Sequence, residues 1–409
     1  MTQSLALGDV QDDTLDVAGR RRVTATLCLT QITGWGVLFY AFPVLAPSIA
    51  RDTGWSVSGS AAAFGAGQLT AAAVGIWVGR HLDRRGPRQL MTTGSVLATL
   101  ALAVLAAAPS LVWFLLGWVL GGVAMAMALY QPAFAAITRW HDDHDRLRAL
   151  TILTVAGGLA STVFAPLTAV LASTVGWRST YLILAAGLAT ITIPAHFWGL
   201  RGSWPAAPRA LDQVDVRPGA IATSRAFVAL TVALTLSALS ASAVVVNLVP
   251  LLDERGIGLT TAGLILGLGG VGQVAGRLGF GLLHRRLPVV AATASIMAVL
   301  AATTTLFGLL ESLIPIVAVA LLAGAGRGIF TLLKATAVTS RWGVAHYGSL
   351  TGLLAAPVTV AAAAAPWAGA QLADLVGSYA TAFLILGAVN AVAVAVSLTT
   401  QPAKERVPT

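Results

Sequence analysis

The 409-residue chain is 57% hydrophobic and only 10% charged, with a formal net charge of +9 and a single cysteine. Soluble domains carry about 25% charged residues, so a soluble fold is excluded, and the apolar runs reach the ~20 residues needed to cross a hydrocarbon core. The basic excess sits in short gaps between those runs, which fits membrane topology rather than nucleic-acid binding, and Cys28 alone supports neither a disulfide framework nor a thiolate metal site.

Taken in order, residues 1–22 read as a disordered cytoplasmic tail with no cleavable signal, acidic at first and closed by Arg20-Arg21-Arg22. Spans are predicted at 23–49, 58–79, 89–108, 111–138, 149–173 and 178–200, an N-terminal six-helix bundle over 23–200. The Pro- and Arg-rich stretch 201–224 reads as a cytoplasmic linker. A C-terminal bundle over 225–400 follows, with spans at 225–252, 259–283, 288–310, 313–340, 347–373 and 379–400, then a cytoplasmic tail at 401–409. The expected fold is an all-α membrane protein of twelve transmembrane helices.

With the N-terminus inside, nineteen Lys and Arg fall on the inner side and three (Arg51, Arg178, Arg255) on the outer. That bias places both termini in the cytoplasm. The excess of Arg over Lys and the abundance of Ala suggest a GC-rich bacterial genome, hence an inner membrane. The halves also repeat. Leu120–Trp140 aligns without gaps on Leu322–Trp342, Ala165-Pro166 matches Ala365-Pro366, and Gly65-Ala66-Gly67-Gln68 matches Gly270-Val271-Gly272-Gln273. Matches in this order indicate two six-helix bundles of parallel topology.

Three cations lie inside predicted spans: Arg277 in span eight, Arg327 and Lys334 in span ten. No acidic residue lies in the middle of any span. A buried charge is costly unless it faces water, a ligand or a polar partner. Arg327 is about 20 Å from either end of its helix at 1.5 Å per residue, too far for easy snorkelling. Lys334, seven residues on, shares its face, as Gln273 shares that of Arg277. Spans eight and ten converging on a cavity would give it a positive wall suited to a carboxylate or other oxyanion. Snorkelling of Arg277 and Lys334, and packing of Arg327 among Gly324, Gly326 and Gly328, are the competing readings. Opposite them, Tyr40, Tyr130 and Gln131 are polar handles in spans one and four, with Asn247 in span seven; Pro132 is expected to break the helix after Tyr130.

The loop Gly79-Arg80-His81-Leu82-Asp83-Arg84-Arg85-Gly86-Pro87-Arg88 closely resembles the signature loop of the major facilitator superfamily, and Gly176-Trp177-Arg178-Ser179-Thr180-Tyr181 resembles that superfamily's entry to span six. The resemblance runs from about residue 23 to 400. It implies alternating access, with Gly79, Asp83, Arg84, Gly86 and Arg88 acting as a gating loop on the cytoplasmic side. A narrower resemblance is to the monocarboxylate-transporter-like branch, including oxalate/formate-type members, through Gly34-Trp35-Gly36, Thr53-Gly54-Trp55-Ser56, Tyr347–Gly352, Gly377-Ser378-Tyr379 and Arg277. In that branch an arginine of span eight binds the substrate carboxylate, the role implied for Arg277. The chain departs from it at Gln273, where animal members carry an aspartate, and in having no lysine in span eleven.

The expected activity is therefore secondary transport of a small organic anion, a monocarboxylate by the resemblance, coupled to protons or to anion exchange. The expected chain is a monomer with no cofactor or metal. Efflux of a drug, metabolite or oxyanion on the same fold is the alternative. A membrane-embedded transferase is disfavoured, because the longest connection offers only Asp212 and Asp215 as acids.

Overall fold

A computed structural model describes residues 15–141, 143–204, 221–342 and 347–401. Residues 1–14 and 402–409 of the expected tails, most of the linker and the side chain of Asp83 lie outside the described residues, while residues 17–22 of the expected N-terminal tail already belong to the first helix. Among the described residues every regular element is a helix.

Span one comprises α1 (Val17–Trp35) and α2 (Ala41–Thr53), joined by a π-helical turn at Gly36–Tyr40. The cause is local. Pro43 has no N–H for the Phe39 carbonyl, and the Ala41 N–H reaches back five residues to Gly36 O. Span two is α3 (Val57–Arg85) and span three α4 (Pro87–Ala107). Span four is α5 (Leu111–Ala128) and α6 (Tyr130–Trp140), interrupted at Leu129. Pro132 cannot donate to the Ala128 carbonyl, and Gln31 Nε2 takes that acceptor instead at 2.9 Å. Spans five and six are α7 (Asp143–Gly158) and α8 (Ala160–Gly199), the latter turning back at Gly176 (φ 77°, ψ 167°).

The second half contains α9 (Arg225–Glu254), α10 (Leu259–Arg286), α11 (Val289–Leu309), α12 (Leu313–Thr336), the short α13 (Thr339–Trp342), α14 (Tyr347–Val376) and α15 (Tyr379–Ser397). By length and composition ten stretches among the described residues can cross a membrane, and one of them, Arg148–Gly199, holds the turn at Gly176 and so crosses twice. Helix α3, at 29 residues, supplies the twelfth crossing.

The internal repeat has a structural counterpart where helices touch. A Cβ on Gly122 would lie 2.1 Å from Gly67 O, locking span four onto span two. In the second half a Cβ on Gly324 would lie 2.0 Å from Gly269 O, locking span ten onto span eight. Only glycine permits this backbone approach. The outer corners match as well. Arg178 donates to Ala106 O (2.7 Å) and Ala108 O (3.0 Å), capping the end of span three. Arg255 donates to Phe307 O (2.7 Å) and Gly308 O (2.9 Å), capping the end of span nine. The loose carbonyls of each helix end thus find a cationic partner.

The halves meet closely at the end remote from the termini. There a Cβ on Gly65 of span two would sit 2.7 Å from Ala363 O of span eleven, and one on Gly263 of span eight 2.6 Å from Ala169 Cβ of span five. Val44, Ala165 and Ala169 share one buried apolar cluster with Val244, Leu248 and Ile265. Burying an aliphatic side chain of this size is worth about 1.5–3 kcal/mol. At the rim, Arg51 Nη1 bridges both carboxylate oxygens of Asp253 at 3.0 and 2.9 Å. One end of the central passage is thereby sealed.

Candidate functional site

Below that seal lies a cavity of about 280 Å³, walled by spans one, four, five, seven, eight and ten. Arg277 and Gln273 reach it from α10, and Arg327, Thr331 and Lys334 from α12. The spacings of four and seven residues put each set on one helical face. Tyr40 and Tyr130 close the opposite side. No aspartate or glutamate is among the lining residues.

Arg277 crosses the seam between the halves. Its Nη1 donates to the Thr154 carbonyl of span five, while its Nε is buried without a hydrogen-bond partner. Two adjacent glycines at the end of α7 make this approach possible. A Cβ on Gly158 would lie 2.8 Å from Arg277 Nη1, and one on Gly157 2.1 Å from the Tyr130 hydroxyl. That hydroxyl is also near enough to the Arg277 side chain to interact with it electrostatically. The Tyr130 ring stacks on Phe134 at 4.9 Å and meets Trp35 at 5.0 Å, which fixes the hydroxyl's direction.

Arg327 stands nearer the sealed end. Its Nη2 lies 2.9 Å from where a Cβ on Gly269 would be, and the Tyr40 hydroxyl is near enough to interact with it electrostatically. Ser161 is a polar neighbour of that hydroxyl. Gly324 and Gly328 press against the backbone of span eight at Gly269 and Gln273. The glycines therefore serve packing, while the arginine between them faces the cavity. Lys334 Nζ lies 5.2 Å over the Phe330 ring, within cation–π range. Cationic donors facing phenolic hydroxyls, with no fixed carboxylate, make a site for an oxyanion.

Six of the eight residues expected to bind substrate, namely Arg277, Arg327, Lys334, Gln273, Tyr40 and Tyr130, are brought together here. The other two are placed elsewhere. Gln131 Nε2 donates to Gly75 O at 2.8 Å, clamping span four to span two. Asn247 is buried and donates to Ala243 O (2.9 Å) and Pro366 O (3.5 Å), against Gly369 of span eleven. The expected loop after span two is mostly helical: Gly79–Arg85 continue α3 and Pro87 opens α4, leaving Gly86 between them with φ 76° and its N–H donating to Leu82 O. Arg88 donates to Phe197 O at 2.8 Å and rests over the Phe197 ring, tying the loop to the end of span six. Arg84 is exposed and Gly79 lies beside Gln131.

Sequence reasoning missed Trp35, Phe39 and Ser242, which also line the cavity. Trp35 and Phe39, four apart, share a face in any α-helix, and the π-turn adds Tyr40 to it. A residue five positions on is out of phase in an α-helix but in phase across one π-turn. Pro43 preceded by Gly34 and Gly36 was the available signal.

The model of the Major Facilitator Superfamily matches residues 27–326 and 230–409. Among curated proteins, monocarboxylate transporter 11 of Homo sapiens is 28% identical over 375 residues, covering 85% of this chain and 75% of that protein. Monocarboxylate transporter 13 of Bos taurus is 27% identical, covering 76% and 73%. The uncharacterized MFS-type transporter YcxA of Bacillus subtilis (strain 168) is 31% identical, but the match spans about a third of each chain, 134 residues. Among solved structures, a bacterial homolog of the human lysosomal transporter Spinster, inward-facing and unoccupied, superposes with a TM-score of 0.74 at 14% identity, covering 95% of this chain and all of that one. The nucleoside transporter NupG gives 0.71 at 13%, covering 93% and 99%.

Proposed function

The chain belongs to the major facilitator superfamily, and from that premise we propose that it is a secondary carrier of a small organic anion. The observation that carries this reading is the cavity holding Arg277, Arg327 and Lys334 with no carboxylate to neutralise them. Partial similarity to monocarboxylate transporters supports a monocarboxylate. The cavity's size points the same way, since about 280 Å³ falls just short of the 300–1,000 Å³ typical of drug-sized ligands.

In this mechanism the two six-helix halves, 23–200 and 225–400, rock about the cavity. The carboxylate exchanges Thr154 O for its own oxygens on Arg277 and engages Arg327 from the other side. Substrate entry thereby loosens a contact between the halves, which couples occupancy to rocking. The Gly79–Arg88 loop closes the cytoplasmic side in the alternate state. Charge balance is met by a proton carried with the substrate or by exchange for a second anion. The positive-inside bias of the sequence supports an inner-membrane carrier with both termini in the cytoplasm. Uptake of labelled lactate and pyruvate into proteoliposomes, compared between the wild type and Arg277→Ala, tests the reading. Concentrative or exchange uptake that falls at least tenfold in the variant is expected, and uptake untouched by the substitution would refute the role of Arg277.

A further inference from the structure

Behind Trp35 and Phe39 lies a second cavity of about 230 Å³, between spans one, two, seven and eleven. Trp35, Phe39 and Ser242 border both this space and the cationic cavity. Two of these are large rings, set edge-to-face with centroids 5.6 Å apart. The third is a small side chain, so at Ser242 little material divides the two spaces. The far walls are mainly apolar, formed by Val246, Ala362, Ala363 and Pro366, with Gln68 and Thr359 as uncharged polar members. No charged residue borders this chamber.

The contrast between the two spaces is chemical. One offers guanidinium and ammonium donors, the other an aromatic edge and aliphatic walls interrupted only by the neutral groups of Gln68 and Thr359. Each holds roughly eight or nine waters at about 30 Å³ apiece. A three-carbon acid would occupy only part of the first and leave the second untouched. In addition, the indole N–H of Trp35 is buried without an acceptor. A buried donor of this kind is costly unless a partner arrives, and its residue is one of the three that border both chambers.

Resting on the anion reading above, we propose that the side chamber is a tail subsite and that the preferred cargo is an aryl-substituted carboxylic acid. Its acid group lies between Arg277 and Arg327. Its ring passes Ser242 and packs edge-to-face against Trp35 and Phe39, an arrangement aromatic pairs favour. An oxygen on the linking carbon accepts from the Trp35 N–H. Ala362, half-buried and bordering only the side chamber, sets the length of tail accepted.

The test is equilibrium binding of pyruvate and phenylpyruvate to the purified full-length carrier, wild type and Ala362→Leu. Wild type is expected to bind phenylpyruvate at least tenfold more tightly than pyruvate. Filling the chamber with Leu removes most of that preference and leaves pyruvate affinity within twofold. Ala362→Val, a smaller addition, gives the same ordering should the Leu variant fail to fold. Pyruvate binding with no aryl preference, or a preference that both variants retain, overturns the tail subsite alone. Failure of the wild type to bind either acid overturns the anion reading and the subsite with it.

Discussion

Replacing Arg327 by Leu is expected to move stability and binding in opposite directions. Among the described residues nothing accepts a hydrogen bond from its guanidinium, and its electrostatic neighbour is the Tyr40 hydroxyl. A buried cation without a carboxylate retains much of its desolvation cost, and exchange of buried ionic groups for apolar ones of similar volume is often neutral or stabilising by about 1–4 kcal/mol. The ligand-free Arg327→Leu protein should therefore melt at the same temperature as wild type or higher. Binding should suffer, because each hydrogen bond to a charged group contributes about 1.5–3 kcal/mol. At about 1.4 kcal/mol per decade of affinity, the loss is about 10- to 100-fold. A thermal-shift titration of the purified protein with an organic acid reads both effects at once. A variant that melts lower without ligand yet keeps its full ligand-induced shift would show that Arg327 holds the fold rather than the cargo, and would refute the reasoning.

Three further outcomes follow from the contacts. Gly157→Ala places a methyl group 2.1 Å from the Tyr130 hydroxyl, so Tyr130 must rotate away from Arg277; acid affinity should fall at least tenfold in the same titration while the melting temperature changes little. Arg51→Ala and Asp253→Ala each break a partly exposed ion pair across the sealed end, worth about 0.5–1 kcal/mol; spin-label distances across the outer ends should show a two- to fivefold gain in the open population, with the double variant no further shifted than either single one. Gln131→Leu removes the bond to Gly75 O and should lower stability by about 1 kcal/mol with acid affinity within twofold of wild type.

What was legible in the sequence follows from which forces act locally. Span lengths, the inward bias of Arg and Lys and the isolated Arg277, Arg327 and Lys334 are fixed by the cost of charge in hydrocarbon, so a one-dimensional reading finds them. Helical spacing then puts Gln273 beside Arg277 and Lys334 below Arg327 without any knowledge of neighbours. Gln131 and Asn247 are different. A buried amide is equally content facing a cavity or clamping a carbonyl freed on another helix, and only the partner decides. For Gln131 that partner is Gly75 O, and for Asn247 it is Ala243 O and Pro366 O. The aromatic edge was hidden for another reason. Tyr40 joins the face of Trp35 only through the π-turn at Gly36–Tyr40, which shifts the helical phase that a regular reading assumes. The Arg88 side chain likewise found a carbonyl and a ring at Phe197, 109 residues away, for which its loop motif gave no hint.

The central claim is that the pathway selects its cargo by negative charge. The most direct measurement compares equilibrium binding of one carboxylic acid with that of its neutral amide, matched in size and shape, to the same preparation of the wild-type carrier. The account predicts saturable binding of the acid and at least a hundredfold weaker binding of the amide. Equal affinity for the two would mean that Arg277, Arg327 and Lys334 do not read charge, and would contradict it.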